Sequence, residues 1–397
     1  MRLVLLEQLR PGDRLARDVR TGPSAIPLLR AGVRLGDHYV EGLRRAGVPS
    51  VYVDDDLSAG IEPVEPLHEE TRRKAAVALE TAFAHVKPAT QATPAAVTQE
   101  TVDSLKSIAE LIAAEIAASP DAAIAISDLA AADSYTLQHS LDTTAVGVLL
   151  AHRHFLRNGW IDWTGRRRFD RLESRLVLIG TGLLLHDIGK LAIPLEILHK
   201  PGPLSPEEWV VMREHPVVGH AMVENSAALS PLVKSVIRSH HERWDGSGYP
   251  SGTSNARIPI FARIAAVADV FDAVTSSRPY KDAVAIHVGC SIVESGAGTL
   301  FDPEIADTFR RTVAPYPVGS TVRLADGRCG IVSETPTGAL DRPVVRVVLD
   351  PEGNYVDPVE VPVAAGAIAE VGVSLRRSGR RLEAPGRFEP PPAVVRR

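Results

Sequence analysis

The chain has 397 residues, 44 basic and 49 acidic, for a formal net charge of −5. That length exceeds one ordinary core and suits a soluble globular protein of two to four domains, while the mild acidity offers no overall electrostatic case for DNA or an anionic membrane, so any phosphate recognition must be local. Two distant cysteines, Cys290 and Cys329, supply neither a disulfide framework nor a thiolate metal site and suit a reducing cytoplasm.

The opening "MRLVLLEQLRPGD" has an apolar run too short for a signal peptide. Glycine and proline punctuation up to about residue 60 predicts a small β-rich module with one short helix. Residues 61–128 shift to Ala, Glu and Leu at helical spacing, as in "VDSLKSIAELIAAEIAAS", with a break at "VKPATQATPAA". Two long helices are expected there as a connector, a stalk or dimerisation segment being the simplest role and a homodimer its consequence. Residues 129–313 read as nearly all helix. Their most apolar stretch, "LVLIGTGLLLHDIGK", is broken by charge well short of the ~20 residues a membrane span needs, so an unanchored cytoplasmic protein is expected. Across 314–374, alternating runs around Asp326-Gly327 and a third in "RPVVRVVLD" predict a small β-barrel. The tail 375–397, with its arginines and prolines, is expected to be disordered.

Of the thirteen histidines, His38, His68, His85, His152, His154 and His287 have no partner pattern and read as structural or merely exposed. Others recur inside or at the edge of apolar helical patterns: "YTLQHS" with His139, "LLHDIGK" with His186, Asp187 and Lys190, "REHP" with His215, "SHHERWDG" with His240 and His241, and "VADVFDAV" with Asp269. A buried imidazole or carboxylate costs several kcal/mol unless paired, and metal coordination compensates many at once. Five histidines and two aspartates are enough ligands for two divalent ions.

Read in order, H…HDIGK…H…HHERWDGSGYP…D…RPYK resembles the HD-GYP phosphodiesterases, a branch of the HD-domain metal-dependent phosphohydrolases. The resemblance covers about residues 129–309 and implies an all-α catalytic domain, flanked here by the N-terminal β-rich module and the C-terminal barrel. Carried over by position, it implies that His139, His186, Asp187 and Asp269 hold one metal. Asp187 would bridge to a second held by His215, His240 and His241. It favours iron, with manganese next and zinc less suited to a thiolate-free, nitrogen-rich set. Two bridged ions roughly 3.5–4 Å apart would activate water for hydrolysis of a phosphodiester, with Lys190 neutralising phosphate charge.

The family's Arg-x-x-Lys pair falls on Arg278 and Lys281, implying a grip on cyclic di-GMP. Tyr249 stays open between stacking on a base and filling the loop. Where a subset of the family has a third-metal glutamate, this chain has Tyr135, which implies two metals and pGpG as main product, with further cleavage to GMP left open. The 47 residues between His139 and His186 exceed the family's usual spacing because of a basic, Trp-containing insert at about 152–175, a lid, a partner surface or simply a longer loop. The alternative readings are a non-hydrolysing cyclic di-GMP receptor, with diguanylate-cyclase-type domains as partners through the GYP loop, or a hydrolase of another cyclic dinucleotide.

Overall fold

The protein is described from a computed structural model covering residues 1–20, 27–63, 67–84, 96–118, 135–276 and 283–375, with only the backbone of Tyr135 and Thr136. Arg278, Lys281, His85 and the tail beyond Leu375 lie outside the described residues, as does the side chain of Tyr135.

The N-terminal segment pairs β1 (Arg2–Leu5) antiparallel with β2 (Ser50–Val53), and α1 (Asp37–Arg45) lays Val40 and Leu43 against them. With Leu15 and Leu35 they form a small apolar core. Helices α2 (Glu69–Ala84) and α3 (Gln99–Ala118) follow. Leu105, Ile108, Ile112 and Ile116 repeat at i, i+3, i+4 spacing and form one buried stripe. That stripe is covered by the chain's own helices, since Leu79, Leu105, Ile112 and Ile116 share a core with Leu149, Leu183 and Phe271. The stalk expected here is therefore a pair of helices packed onto the main helical body.

That body consists of α4 (Tyr135–Asn158), α5 (Leu172–Leu185), α6 (Leu195–Leu198), α7 (Pro206–Met212), α8 (His215–Val223), α9 (Pro231–Ser239), α10 (Ile260–Thr275), α11 (Ile286–Ser295) and α12 (Pro303–Arg310). Their starts follow capping chemistry. Ser205, Ser230 and Asp302 each accept a hydrogen bond from the first turn of the helix they precede, and each is followed by a proline whose missing N–H costs nothing there. One exception interrupts the helices: β3 (Trp160–Ile161) and β4 (Arg167–Arg168) form a hairpin between α4 and α5.

The C-terminal strands are β5 (Thr321–Leu324), β6 (Cys329–Glu334), β7 (Val344–Leu349), β8 (Tyr355–Pro362) and β9 (Ile368–Val371), in the antiparallel order β8-β7-β6-β5-β9. The expected barrel is thus an open five-stranded sheet, since no ladder joins β8 to β9. Closure needs strands of matched length and stagger. Here β9 has four residues, and β8 is exposed along nearly its whole length with Pro358, which lacks a donor, inside it. This sheet meets the N-terminal segment: Leu3 N donates to Gly319 O at 2.9 Å, Gln8 Nε2 to Gly372 O at 2.6 Å, and Ile61 is buried among Cys329, Ile331 and Leu349.

Candidate metal centre

Each proposed ligand sits where a helix starts or stops, except those on α10. His139 lies in the second turn of α4. His186 caps the C-terminus of α5, and Asp187 leaves the helix (φ −98°, ψ 9°), so neighbouring residues turn toward one centre. Successive helical side chains diverge by about 100°, which only a terminus relaxes. His240 caps α9 in the same way and His241 follows in a turn, while His215 opens α8. From the middle of α10, Asp269 reaches the same place.

The ligand atoms converge in three overlapping groups, each within 4.8 Å: His215, His240 and His241; His139, His186 and Asp269; and His186, Asp187 and His240. The nitrogens His139 Nε2 and His186 Nε2 are 3.3 Å apart, and so are His215 Nε2 and His240 Nε2. Two nitrogens each ~2.1 Å from one ion at a tetrahedral to octahedral angle would be separated by about this much. Asp187 lies between the groups. Its Oδ2 is 3.3 Å from His186 Nε2 and 3.6 Å from His139 Nε2, and its Oδ1 is 3.3 Å from His215 Nε2. That Oδ1 is buried with no hydrogen-bond partner, an orphaned acceptor of the kind a cation satisfies.

The far nitrogens are held. Nδ1 of His186 donates to Leu183 O at 2.6 Å and that of His215 to Met212 O at 2.8 Å; Nδ1 of His240 lies 3.1 Å from the carbonyls of both Val236 and Ile237. These contacts fix the tautomer that leaves Nε2 as a lone-pair donor. His241 stacks on Tyr249, ring centroids 4.7 Å apart. Lys190 Nζ donates to Asp187 Oδ2 at 2.5 Å.

The electrostatics are those of empty ligands. Burial lowers His215 to about 4 and His240 to about 3, the neighbouring histidines adding to the effect on His240, and burial with His240 beside it pushes His241 well down. All three are neutral at pH 7. Burial by itself would raise Asp187 and Asp269, yet the imidazoles, and for Asp187 also Lys190, hold both well below the usual carboxylate range. Burial opposes a charge on His139, but the carboxylates of Asp269 and Asp272 outweigh it and raise His139 to about 9. Paired carboxylates among neutral imidazoles, free of thiolates, suit divalent metal.

Of the site residues read from the sequence, the eight described ligands and Lys190 partners come together: His139, His186, Asp187, Lys190, His215, His240, His241 and Asp269. Tyr249 stands against His241, and Arg278 and Lys281 lie outside the described residues. Three supporting carboxylates escaped the sequence reading. Asp272, fully buried, accepts from His139 Nδ1 at 2.5 Å and from Ser276 Oγ at 2.9 Å. Its signal was the i, i+3 spacing from Asp269, which puts both on one helix face. Glu242 accepts from the backbone N–H groups of Ser251 and Thr253 and so pins the loop after the paired histidines. Asp142, one turn after His139, accepts from Arg72 Nη1 of α2 at 2.9 Å and Gln138 Nε2 at 2.7 Å.

Residues 178–305 match the family model described as HD domain, and this segment is an HD domain. With the HD pair, the outlying histidines and the "DGSGYP" loop, it belongs to the HD-GYP branch. The chain is similar to a cyclic di-GMP phosphodiesterase of Pseudomonas aeruginosa, 36% identical over 250 residues, which cover 63% of this chain and 56% of that protein. A cyclic di-GMP phosphodiesterase of Thermotoga maritima is 41% identical over 159 residues, 40% of this chain and 43% of that one. A 3′3′-cGAMP-specific phosphodiesterase of Vibrio cholerae is 47% identical over 111 residues, 28% and 21% of the respective chains. The chain thus spans about half the length of the first two relatives. Among the described residues, no helix is long and apolar enough to cross a membrane.

Proposed function

We propose that this chain is a metal-dependent phosphodiesterase that hydrolyses cyclic di-GMP to linear pGpG in cytoplasmic second-messenger signalling. The observation that carries the reading is the placing of Asp187 between two histidine clusters, with one carboxylate oxygen toward each. His139, His186, Asp187 and Asp269 would hold one ion, and His215, His240 and His241 with Asp187 the other. Iron suits this set first and manganese second. When bound, such a pair lowers the pKa of a shared water and stabilises charge on the phosphate oxygens.

The chain's own groups do the rest. Lys190, tied to Asp187 and partly exposed, holds the carboxylate in place and puts a positive charge beside the incoming phosphodiester. Tyr249 backs the ring of His241, which turns that imidazole toward the other two histidines. Arg278 would fork onto phosphate or a guanine edge, with Lys281 beside it. The names of the Pseudomonas and Thermotoga relatives support cyclic di-GMP as substrate. The Vibrio relative favours a second reading, in which another cyclic dinucleotide is cleaved by the same chemistry. A complete ligand set speaks against a receptor without turnover. The GYP loop, pinned by Glu242 yet exposed at Asp245, Ser247 and Ser251, is the surface on which a cyclase-type domain would dock.

Protein purified without oxygen, supplied with Fe²⁺ or Mn²⁺ and given cyclic di-GMP and 3′3′-cGAMP in parallel tests both readings. About two ions per chain with pGpG formed is the expected result. Preference for cGAMP moves the conclusion to the second reading, and tight binding without turnover overturns the enzyme.

A further inference from the structure

The insert between α4 and α5 is a built hairpin. Asp162 closes its turn by accepting from the N–H groups of Thr164 and Arg166 and from Thr164 Oγ1. Trp160 Nε1 donates to Asp170 O at 2.9 Å, and the Arg175 guanidinium lies 3.4 Å above the Trp160 ring, which locks one face onto the helical body. Gly159 (φ +65°) lets the ribbon leave α4, where a Cβ would stand 2.5 Å from Arg168 O.

The opposite face has no such cover. Pairing of Ile161 with Arg167 puts their side chains on the side away from Trp160, and Phe169 shares it. Ile161 is 58% exposed, Phe169 61%, and Trp163 at the tip 96%. Three arginines, Arg166 to Arg168, flank them. Arg168 is tied to Asp170 at 3.0 Å and reaches Asp162 at 3.9 Å, so both nearby aspartates are engaged. Arg166 and Arg167 have no carboxylate within 4 Å among the described residues. A chain of net charge −5 thus presents a local cationic, aromatic-tipped face.

The hairpin is no lid. It joins the end of α4 remote from His139 and the start of α5 remote from His186; nineteen helical residues separate His139 from Asn158, about 28 Å along the axis.

We propose that this face docks on an anionic lipid surface, with Trp163, Ile161 and Phe169 entering the headgroup region and Arg166 and Arg167 meeting lipid phosphates. Tryptophan and arginine side by side suit the boundary between apolar and charged layers. A second copy is disfavoured, because a two-fold contact through this face would bring the same arginines together. The fixed turn means that little chain ordering opposes docking, and the metal centre, at the other end of α4 and α5, stays accessible while docked.

Co-sedimentation of the full chain with phosphatidylcholine vesicles, with and without phosphatidylglycerol, tests this independently of turnover. Binding only to the anionic vesicles is expected, weakened by salt, and reduced about tenfold by Trp163→Ala and by Arg166→Glu with Arg167→Glu. Turnover in solution should be unchanged in all variants, since none of these side chains supports the fold or the site. Failure to sediment with anionic vesicles, or equal sedimentation of Trp163→Ala, overturns the proposal. So does conversion of a dimer to a monomer by Trp163→Ala without vesicles, which would make the face a contact between copies.

Discussion

Asp272 accepts the Nδ1 proton of His139 at 2.5 Å, and neither side chain reaches solvent. The carboxylate fixes which nitrogen of His139 faces the other ligands and makes that nitrogen a better donor. Asp272→Ala should therefore weaken divalent metal binding ~10–100-fold without removing any ligand. Titration of the apo protein with Mn²⁺ checks this, and affinity equal to wild type would mean that His139 needs no orienting partner.

Asp187 and Arg278 should fail differently. Asp187→Ala removes the group between the two clusters and should lose both ions, seen as metal per chain after anaerobic loading. Arg278→Ala should retain them and raise KM for the dinucleotide by about tenfold or more, as loss of one charge-assisted phosphate contact implies. Equal metal content in wild type and Asp187→Ala would overturn the ligand assignment.

Arg72 offers a pH test remote from the ligands. Burial raises Asp142 to about 6, against the pull of Arg72 and with the help of nearby Asp272. A folded-state pKa above the unfolded value of about 3.8 means that the folded protein binds the proton more tightly, so stability falls as pH rises from about 4 to about 6. Without Arg72 the folded value climbs further and the decline continues to higher pH. Arg72→Ala should thus cost little at about pH 5 and about 3 kcal/mol at about pH 8, measured by urea unfolding of the apo protein. A loss that does not grow with pH would show that the ion pair is not what holds Asp142.

Gly189 follows the HD pair, and a Cβ there would stand 2.0 Å from His215 O and 2.6 Å from Gly219 N. Both are backbone atoms of α8 and cannot swing aside. Gly189→Ala should push α8 away, destabilise the protein by about 3 kcal/mol, and weaken the ion held by His215 more than the one held by His139. A thermal midpoint unchanged from wild type would refute this packing.

The candidate ligands were legible in the sequence because each is a polar group set in an apolar helical pattern, and burial leaves such a group few ways to be satisfied. Asp187 and His186 could be read as a pair for the same reason. The supporting layer was not legible. Asp272 reads equally well as a solvated helix residue until α4 is packed against α10, and Arg72 comes from a helix 67 residues before His139. An amphipathic stripe states that something covers it, not what, so α2 and α3 could be read as a stalk although α4 and α5 cover them. Strand patterns likewise state pairing and not closure, which depends on whether the edges β8 and β9 meet. Local composition determined the helices, the hairpins and the identity of the polar groups sunk into them, because those follow from each residue's own cost of burial. Which groups meet was decided only by tertiary packing, because that depends on the lengths and crossing of elements distant along the chain.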